Sequence, residues 1–169
     1  AIIDRQPKNV EVASREYVAY IGDEYRLSGK WELYAGLHMS LNQVEDKNYF
    51  SAQPRLALFG NLSRHISLKA SITHMSQFVH LLTNSSLGLP TDLWVPSTAE
   101  VRPETSWQGS IGMDVRFGNA WEFSAEAYYK KMRHLVTFTE GANYLYDWRE
   151  NLAIGKGNAQ GLEVLLRHK

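Results

Sequence analysis

The feature that most constrains this chain is an alternation of polar and apolar residues that returns in segment after segment. In the stretch "HISLKASITH", residues 65–74, Ile66, Leu68, Ala70 and Ile72 fall on one side, and Ser, Lys and Thr residues fall between them. Alternate residues of a β-strand point to opposite faces of the sheet. A helix would instead place apolar residues three and four positions apart. The pattern therefore predicts strands with two unlike faces.

The same alternation predicts seven strands along the chain. They cover residues 15–27, 31–40, 52–60, 65–75, 106–117, 121–137 and 158–168. The sixth includes "AEAYYKKMRHL", which has fair helix propensity, but its first nine residues alternate cleanly. The sequence thus predicts an all-β fold, an antiparallel up-and-down meander of about seven strands.

The connections between these strands differ in length in a regular way. Three have hairpin length and carry Gly or Asn at the turn: residues 28–30, 61–64 and 118–120. Three are long: residues 41–51, 76–105 and 138–157. Every second connection of a meander lies at the same end of the sheet, so we expect tight turns at one end and large loops at the other. This strict alternation is typical of an outer-membrane β-barrel.

Two classes of protein have strands with one apolar and one polar face. A soluble sandwich turns the apolar face to a dry core, whereas a membrane barrel turns it to lipid and encloses water with the polar face. The predicted strands run about ten residues, enough to cross a bilayer when tilted, while soluble strands average about five or six. Together with the loop asymmetry this favours part of a transmembrane barrel. The alternative is a soluble all-β ligand-binding module such as a carbohydrate-binding sandwich.

A barrel assigns a place to particular residues. Aromatic residues beside the short turns are predicted to form a membrane-interface girdle: Tyr25, Trp31, Phe117 and Trp121. Charged residues on the polar face are predicted to face the lumen: Glu32, Lys69, Asp114, Arg116, Glu122 and Glu126.

Composition argues against several other classes of function. The 18 basic and 18 acidic residues give a net charge of +0, which removes the electrostatic argument for a nucleic-acid partner. The chain has no cysteine, and its 6 histidines fall in different elements or on opposite faces, so we expect no metal site and no cofactor. Glu122 and Glu126 would stand about 13 Å apart along a strand, too far for a pair of glycosidase acids. We therefore expect no enzyme activity.

The long loops are the best candidates for binding a ligand, because long structured loops in compact folds are usually functional. Their aromatic, acidic, amide and basic side chains suit a sugar or a siderophore equally. The residues are His80, Asp92, Trp94, Tyr144, Tyr146, Trp148 and Arg149. The alternative for each is that it packs the loops against one another or against another domain.

Several motifs, in order, resemble those of TonB-dependent outer-membrane receptors. "AYIGDEYRLSGKWELYAGLHMSL" is similar to the stretch in which a strand with an acidic pair meets a short turn, a Trp and "AGLR"-like residues. "PRLALFGNLSRHISLKASITHMSQFVHLL" resembles the hairpin that follows, and "GKGNAQGLEVLL" resembles a Gly-rich strand start. "LPTDLWVPST" with "VRPETSWQ" looks like an outer loop of the Bacteroidetes branch of that family.

The resemblance implies a large closed barrel, filled by a plug domain, that imports a siderophore, a vitamin or a glycan with energy passed on by TonB. The implied location is the bacterial outer membrane. The implied partners are outer-membrane lipid, the rest of the barrel and its plug, the TonB complex through the N-terminal part, and a surface lipoprotein. Residues 1–169 contain no recognisable plug or energy-coupling box, so we expect them to be one partial barrel segment cut from a longer chain.

Overall fold

The structure, a computed structural model, describes residues 12–82, 93–118, 120–139 and 148–168. The strands of this part of the chain are β1 Ser14–Arg26, β2 Trp31–Val44, β3 Lys47–Asn61, β4 Ile66–Gln77, β5 Val79–Leu82, β6 Leu93–Pro96, β7 Glu104–Phe117, β8 Trp121–Phe138 and β9 Leu152–His168. A short 3-10 helix, Trp148–Asn151, precedes β9. Among these residues no helix has the length and apolar character needed to cross a bilayer.

The described long strands form one antiparallel sheet in the order β1-β2-β3-β4-β7-β8-β9, and β5 pairs with β6 in a separate small sheet. Neighbours in the large sheet follow one another along the chain, except that β5 and β6 are inserted between β4 and β7. The prediction of an all-β, up-and-down meander is confirmed. The turns after β1, β3 and β7 lie at one end of this sheet, here called the tight-turn end, and the opposite end is the loop end.

One predicted loop is wrong. Residues 41–51 are not a long connection, because β2 continues to Val44, β3 starts at Lys47, and the turn holds Glu45 and Asp46. Glu45 takes up a left-handed conformation with φ of 49°, which allows this tight reversal. The segment was misread as a loop because its central stretch "NQVEDKN" is mostly polar, yet its residues pair in register across the hairpin. The two sheet ends therefore differ in loop length less strictly than predicted.

The last strand also starts earlier than predicted, at Leu152 instead of residue 158. It pairs with β8 over its whole length. The pairing runs from Trp121 opposite His168 to Phe138 opposite Leu152 and is interrupted by a bulge between Arg133 and Leu135. The Gly-rich segment 155–161 is thus part of the strand.

The large sheet is concave on its polar face. Lys69 of β4 and Glu126 of β8 are separated by strand β7, yet their charged atoms lie 2.8 Å apart. Their side chains meet above Gly112 of β7, where an added Cβ atom would collide with the Lys69 side chain. The two side chains can meet because Gly112 carries no side chain between them, and curvature of the sheet towards this face brings them closer. We call this surface the inner face and the opposite surface the outer face.

Apolar side chains on the outer face are exposed. Ile111 is 64% exposed, Leu162 is 71% and Val164 is 60%. In the described part of the chain the fully buried apolar side chains lie elsewhere, near the loop end: Val44, Phe78, Leu82, Val95 and Val101. The small dry core therefore belongs to β5, β6 and the residues that flank them, and not to the middle of the sheet.

The β5–β6 hairpin, defined here as residues 78–82 and 93–101, lies against the inner face at the loop end. Tyr49 points inward from β3 and donates a hydrogen bond from its hydroxyl to the Thr98 carbonyl at 2.6 Å. The inner-face residues of β2 and β3 at this level are buried although they are polar: Ser40, Asn42 and Gln53.

Pairing between β3 and β4 stops near the loop end. The ladder joins residues 55–61 to residues 67–73 and ends beside Pro54, which has no N–H to continue it. Beyond it lies a gap between residues 47–54 of β3 and 74–77 of β4, here called the seam. Side chains bridge the seam: His74 Nδ1 lies 3.0 Å from the Ala52 carbonyl oxygen, Ser76 N donates to Gln53 Oε1 at 3.3 Å, and the Ser51 and Ser76 hydroxyls are 2.6 Å apart.

Candidate functional site

The inner face carries the charged residues that the sequence assigned to a lumen. The strand register aligns Glu32, Phe59, Lys69, Gly112 and Glu126 in one row across five strands. The other three predicted residues lie two or four positions along their strands from this row, which puts them on the same face. All six therefore share the inner face: Glu32, Lys69, Asp114, Arg116, Glu122 and Glu126. The described ion pairs on this face run between neighbouring or next-neighbouring strands and include Arg26–Glu32 at 3.7 Å and Glu122–Arg167.

A depression of about 850 Å³ lies on this inner face near the tight-turn end. Its floor consists of small residues, Ala57, Ser71 and Ser110, which follow one another in a single register row. Tyr34 belongs to the same row and stands at one side of the depression. The Ser71 and Ser110 hydroxyls are 3.0 Å apart and add polarity to the floor. The shape suits a bulky group with polar edges that approaches from the concave side.

The aromatic residues predicted beside the short turns lie on the outer face at the tight-turn end. The Phe117 and Trp121 rings are parallel, with centroids 6.2 Å apart, and His168 meets Trp121 edge-on at 4.6 Å. Trp31 lies flat over Gly60, where any side chain would clash with its ring. Tyr25 is exposed on the same face.

A second group of exposed aromatics on the outer face escaped the sequence reasoning. It lies towards the loop end and consists of Tyr17, Phe50, Trp107 and Tyr129. On β1 and β8 the two groups are eight residues apart along the strand, at Tyr17 and Tyr25 and at Trp121 and Tyr129. Eight residues span about 26 Å of strand, which a tilt of about 40° reduces to roughly 20 Å of height. Counting along the strands from the first group would have found the second.

The aliphatic residues of the outer face lie between these two aromatic groups. They include Leu56, Ile72, Ile111, Leu162 and Val164. The apolar band of an outer-membrane barrel is about 25 Å tall and has aromatic girdles at both edges. The outer face therefore has the dimensions and composition of a lipid-facing surface.

The predicted loop residues do not form one cluster in the described part of the chain. Trp94 on β6 is 63% exposed, whereas Arg149 and Trp148 belong to the 3-10 helix. Arg149 Nη2 lies 2.7 Å from Glu45 Oε1, and its guanidinium is 5.6 Å from the Trp148 ring. This contact ties the start of β9 to the β2–β3 turn. Asp92, Tyr144 and Tyr146 lie outside the described residues.

His80 differs from the other loop candidates, because its side chain is only 1% exposed. Its Nε2 lies 2.9 Å from Ser97 Oγ, and its Nδ1 lies 3.5 Å from Glu104 Oε1. Serine, histidine and a carboxylate are the components of a hydrolase triad, but Ser97 is 0% exposed, so a substrate has no access to the nucleophile. His80 is placed to hold the β5–β6 hairpin together and not to touch a ligand.

Burial lowers the pKa of His80 because it penalises the charged imidazolium, while the nearby Glu104 carboxylate opposes that effect. Glu104 in turn accepts a hydrogen bond from Val136 N at 3.0 Å. The hairpin is thus linked through His80 and Glu104 to strand β8. Across the described ranges no three His, Asp or Glu side chains are grouped in a way that could hold a metal ion.

Comparison with known proteins gives a family and a fold. The family profile "TonB dependent receptor-like, beta-barrel" matches residues 4–168. Among solved structures, the FrpB iron transporter from Neisseria meningitidis (F3-3 variant) superposes with a TM-score of 0.68 at 12% identity, covering 95% of this chain and 25% of that one. The siderophore receptor PirA from Acinetobacter baumannii gives 0.65 at 17% identity, covering 90% of this chain and 25% of that one. A search of curated proteins found no match.

The chain thus spans about a quarter of the length of each of these solved receptors. The match confirms the resemblance noted in the sequence and the predicted outer-membrane location, whereas the Bacteroidetes branch stays a prediction. The profile covers nearly every residue of a sheet whose outer face has the band of a lipid-facing wall, and the chain belongs to the TonB-dependent receptor-like β-barrel family of Gram-negative outer-membrane proteins.

Proposed function

We propose that residues 1–169 form part of the wall of a larger barrel that imports a scarce nutrient across the outer membrane with energy delivered through TonB. The observation that carries this proposal is the pair of unlike faces, with Ile111, Leu162 and Val164 exposed on the outside and charged residues on the concave inside. A wall of this kind separates lipid from an aqueous interior. The inner face then borders the plug domain and the path of the cargo.

The favoured cargo is iron bound to a siderophore. Its support is that the two solved receptors with the same fold are described as an iron transporter and a siderophore receptor. A vitamin or a glycan is the other cargo class that aromatic and polar outer loops would suit.

The proposed ligand contacts are at the loop end. Trp94 offers an exposed ring for stacking, and Trp148 with Arg149 offers a ring beside a guanidinium. Asp92, Tyr144 and Tyr146 complete the set proposed from the sequence. His80 supports this surface from below through Ser97 and Glu104. The proposed partners are membrane lipid, the plug, the TonB complex and a surface lipoprotein.

Uptake measurements with the full-length receptor test this proposal. Cells that carry the receptor as their only importer for a given ferric siderophore should accumulate the labelled iron, and deletion of TonB should abolish uptake. Trp94→Ala should raise the half-saturation concentration several-fold, whereas Leu81→Ala, on the adjacent strand, should not. Uptake that is unchanged without TonB would contradict the proposal.

The soluble sandwich alternative is not supported by the fold. A sandwich needs a second sheet to cover the aliphatic face of the first, and the small β5–β6 sheet lies against the other, polar face. The outer face has no covering layer in the described part of the chain.

A further inference from the structure

We propose that the rim at the tight-turn end is a docking surface for an acidic segment of a periplasmic polypeptide. The surface is a cleft of about 710 Å³, here called the rim cleft, which two neighbouring turns and the strand ends beside them form. Its lining residues are Lys30, Asn61, Leu62, Ser63, Arg64 and Arg116. The inference is independent of the cargo and rests on the position of the short turns, which face the periplasm in outer-membrane barrels.

The rim cleft carries positive charge that the described part of the chain does not neutralise. Three of its lining side chains are cationic, and no acidic side chain of the described residues lines it. None of the described ion pairs includes any of these three cations. Nearby, Glu32 pairs with Arg26, and Asp114, two residues before Arg116, does not line the cleft. A negatively charged partner would supply the missing charge, because a cluster of like charges attracts the opposite sign.

Hydrogen bonds in the turns hold the backbone beneath these cations in place. Asn61 N donates to the Lys30 carbonyl at 2.8 Å, and Arg116 N donates to the His65 carbonyl at 2.8 Å. The Ser63 hydroxyl accepts a hydrogen bond from His65 N at 3.1 Å. The segments that carry the cations are therefore tied to one another, so a partner that binds them has little backbone to order.

The rim cleft opens to the inner side of the sheet and not to lipid. Asn61 and Arg116 occupy inner-face positions at the ends of β3 and β7. The aromatic residues Trp31 and Phe117, each next in sequence to one of the cations, belong to the outer face, and neither lines the cleft. A polypeptide at the mouth of the barrel can reach the cleft, whereas the membrane lies on the other side of the sheet.

The spacing of the cations matches an extended polypeptide. Lys30 and Arg116 stand at the ends of β2 and β7, which are three strand spacings apart, or about 14 Å. An extended peptide covers this distance in about four residues, so two acids four positions apart match the two cations. Leu62 lies in the turn between these strands, is 49% exposed, and offers an apolar contact to the same segment.

Fluorescence anisotropy with the full-length receptor in detergent tests the proposal. The probe is a fluorescein-labelled peptide with aspartates four positions apart around a central leucine, and the control peptide has asparagines in their place. The test variant is Lys30→Gln with Arg116→Gln. The matched control variant, Arg55→Gln with Lys130→Gln, removes the same two charges from one register row of the inner face. That row lies about 20 Å from the rim along β3.

We expect the test variant to bind the acidic peptide about tenfold or more weakly than the wild type, because two charge contacts are lost, and the control variant to bind it like the wild type. High salt should weaken the binding, since the cations are exposed to water. Far-UV circular dichroism checks that both variants retain their sheet. Equal losses in the two variants, or equal affinity of the wild type for the asparagine peptide, would overturn the proposal.

A wild-type receptor that binds no acidic peptide would also overturn the proposal, and two further measurements would then identify the occupant. Loss of bound anionic phospholipid from the test variant in native mass spectrometry would assign the cleft to the membrane. A lower urea midpoint for unfolding of the plug would assign it to the plug. Uptake through TonB does not enter the peptide measurement, so a failure here is distinct from a failure of the proposed import.

Discussion

The large sheet, here called the wall, and the β5–β6 hairpin place the same kinds of apolar side chain in opposite surroundings. On the wall, Ile111 and Leu162 face outward with no protein to cover them, and the sheet owes its order to backbone pairing along the strands. In the hairpin, Leu82 and Val95 are buried within a small core, and polar side chains such as His80 are enclosed with them. The apolar side chains of the wall therefore face lipid, and those of the hairpin pack against other protein side chains.

The contrast shows that an alternating strand does not by itself reveal which solvent its apolar side meets. The wall depends on lipid outside it, whereas the hairpin carries its own apolar interior and is held against the inner face of the sheet by contacts with β3 and, through Glu104, with β8. Substitutions in the two regions should therefore respond differently to the removal of the membrane.

The largest effect should come from Leu82→Ala in the hairpin. Deleting a fully buried leucine side chain costs about 2–5 kcal/mol, because the cavity closes only partly. Its neighbour Leu81 is 38% exposed, so Leu81→Ala is a matched control with little expected change. Hydrogen exchange of the β5 and β6 amides should speed up in the first variant only. Equal protection in both variants would show that the hairpin has no core of its own.

On the wall, Ile111→Lys should destabilise the barrel by about 2–4 kcal/mol in lipid bilayers, because the charge would sit near the middle of the apolar band. Gln108→Lys, on the same strand but on the inner face, should cost far less. Denaturant unfolding from vesicles measures both. If the two variants unfolded alike, the outer face would not be the lipid face.

Acid should loosen the hairpin before it affects the wall. Burial lowers the pKa of His80 in the folded protein, so below the ordinary histidine pKa of about 6.5 the unfolded state binds the extra proton first. Stability is therefore complete above that pH and falls as the pH drops towards the folded pKa, by at most about 1.4 kcal/mol per pH unit. Hydrogen exchange of β5 and β6, corrected for the intrinsic rate, should show this slope, and His80→Gln should remove it.

The smallest effect should come from Lys69→Gln on the inner face. The Lys69–Glu126 pair is partly exposed to water, and such pairs contribute at most about 1 kcal/mol. The loss should shrink further in high salt, since the pair is screened. Unfolding of the variant at low and high salt measures it, and a loss of several kcal/mol would mean that the inner face is dry.

Much of the wall could be predicted from the sequence because alternation reports directly which residues share a face. The placement of Lys69, Asp114 and Glu122 on the inner face follows from parity alone. The second aromatic group, which lies towards the loop end, was missed although its residues alternate along the strands in the same way. Only residues beside the short turns were considered. The end of the β3–β4 pairing at Pro54 was also predictable, since a proline inside a strand cannot donate the backbone hydrogen bond that would continue the pairing.

The loop end was less predictable because its structure depends on contacts between distant residues. The 41–51 segment looked like a loop from its polarity, and only pairing with its own continuation makes it a hairpin. His80 looked like a ligand contact because histidines in loops often are. Its burial depends on Ser97 and Glu104, which lie 17 and 24 residues away, and no local pattern reports such an arrangement.

The central claim is that the outer face of the wall contacts acyl chains and the inner face contacts water. Residues 1–169 contain no cysteine. In a full-length receptor whose other cysteines, where present, are replaced by serine, single-cysteine spin labels are placed at Ile111 and Leu162 outside and at Gln108 and Ser71 inside. In bilayers, power saturation should show that oxygen, which partitions into lipid, relaxes the outer labels more strongly than a water-soluble nickel complex does. The inner labels should show the reverse. Outer labels that respond mainly to the nickel complex would contradict the account.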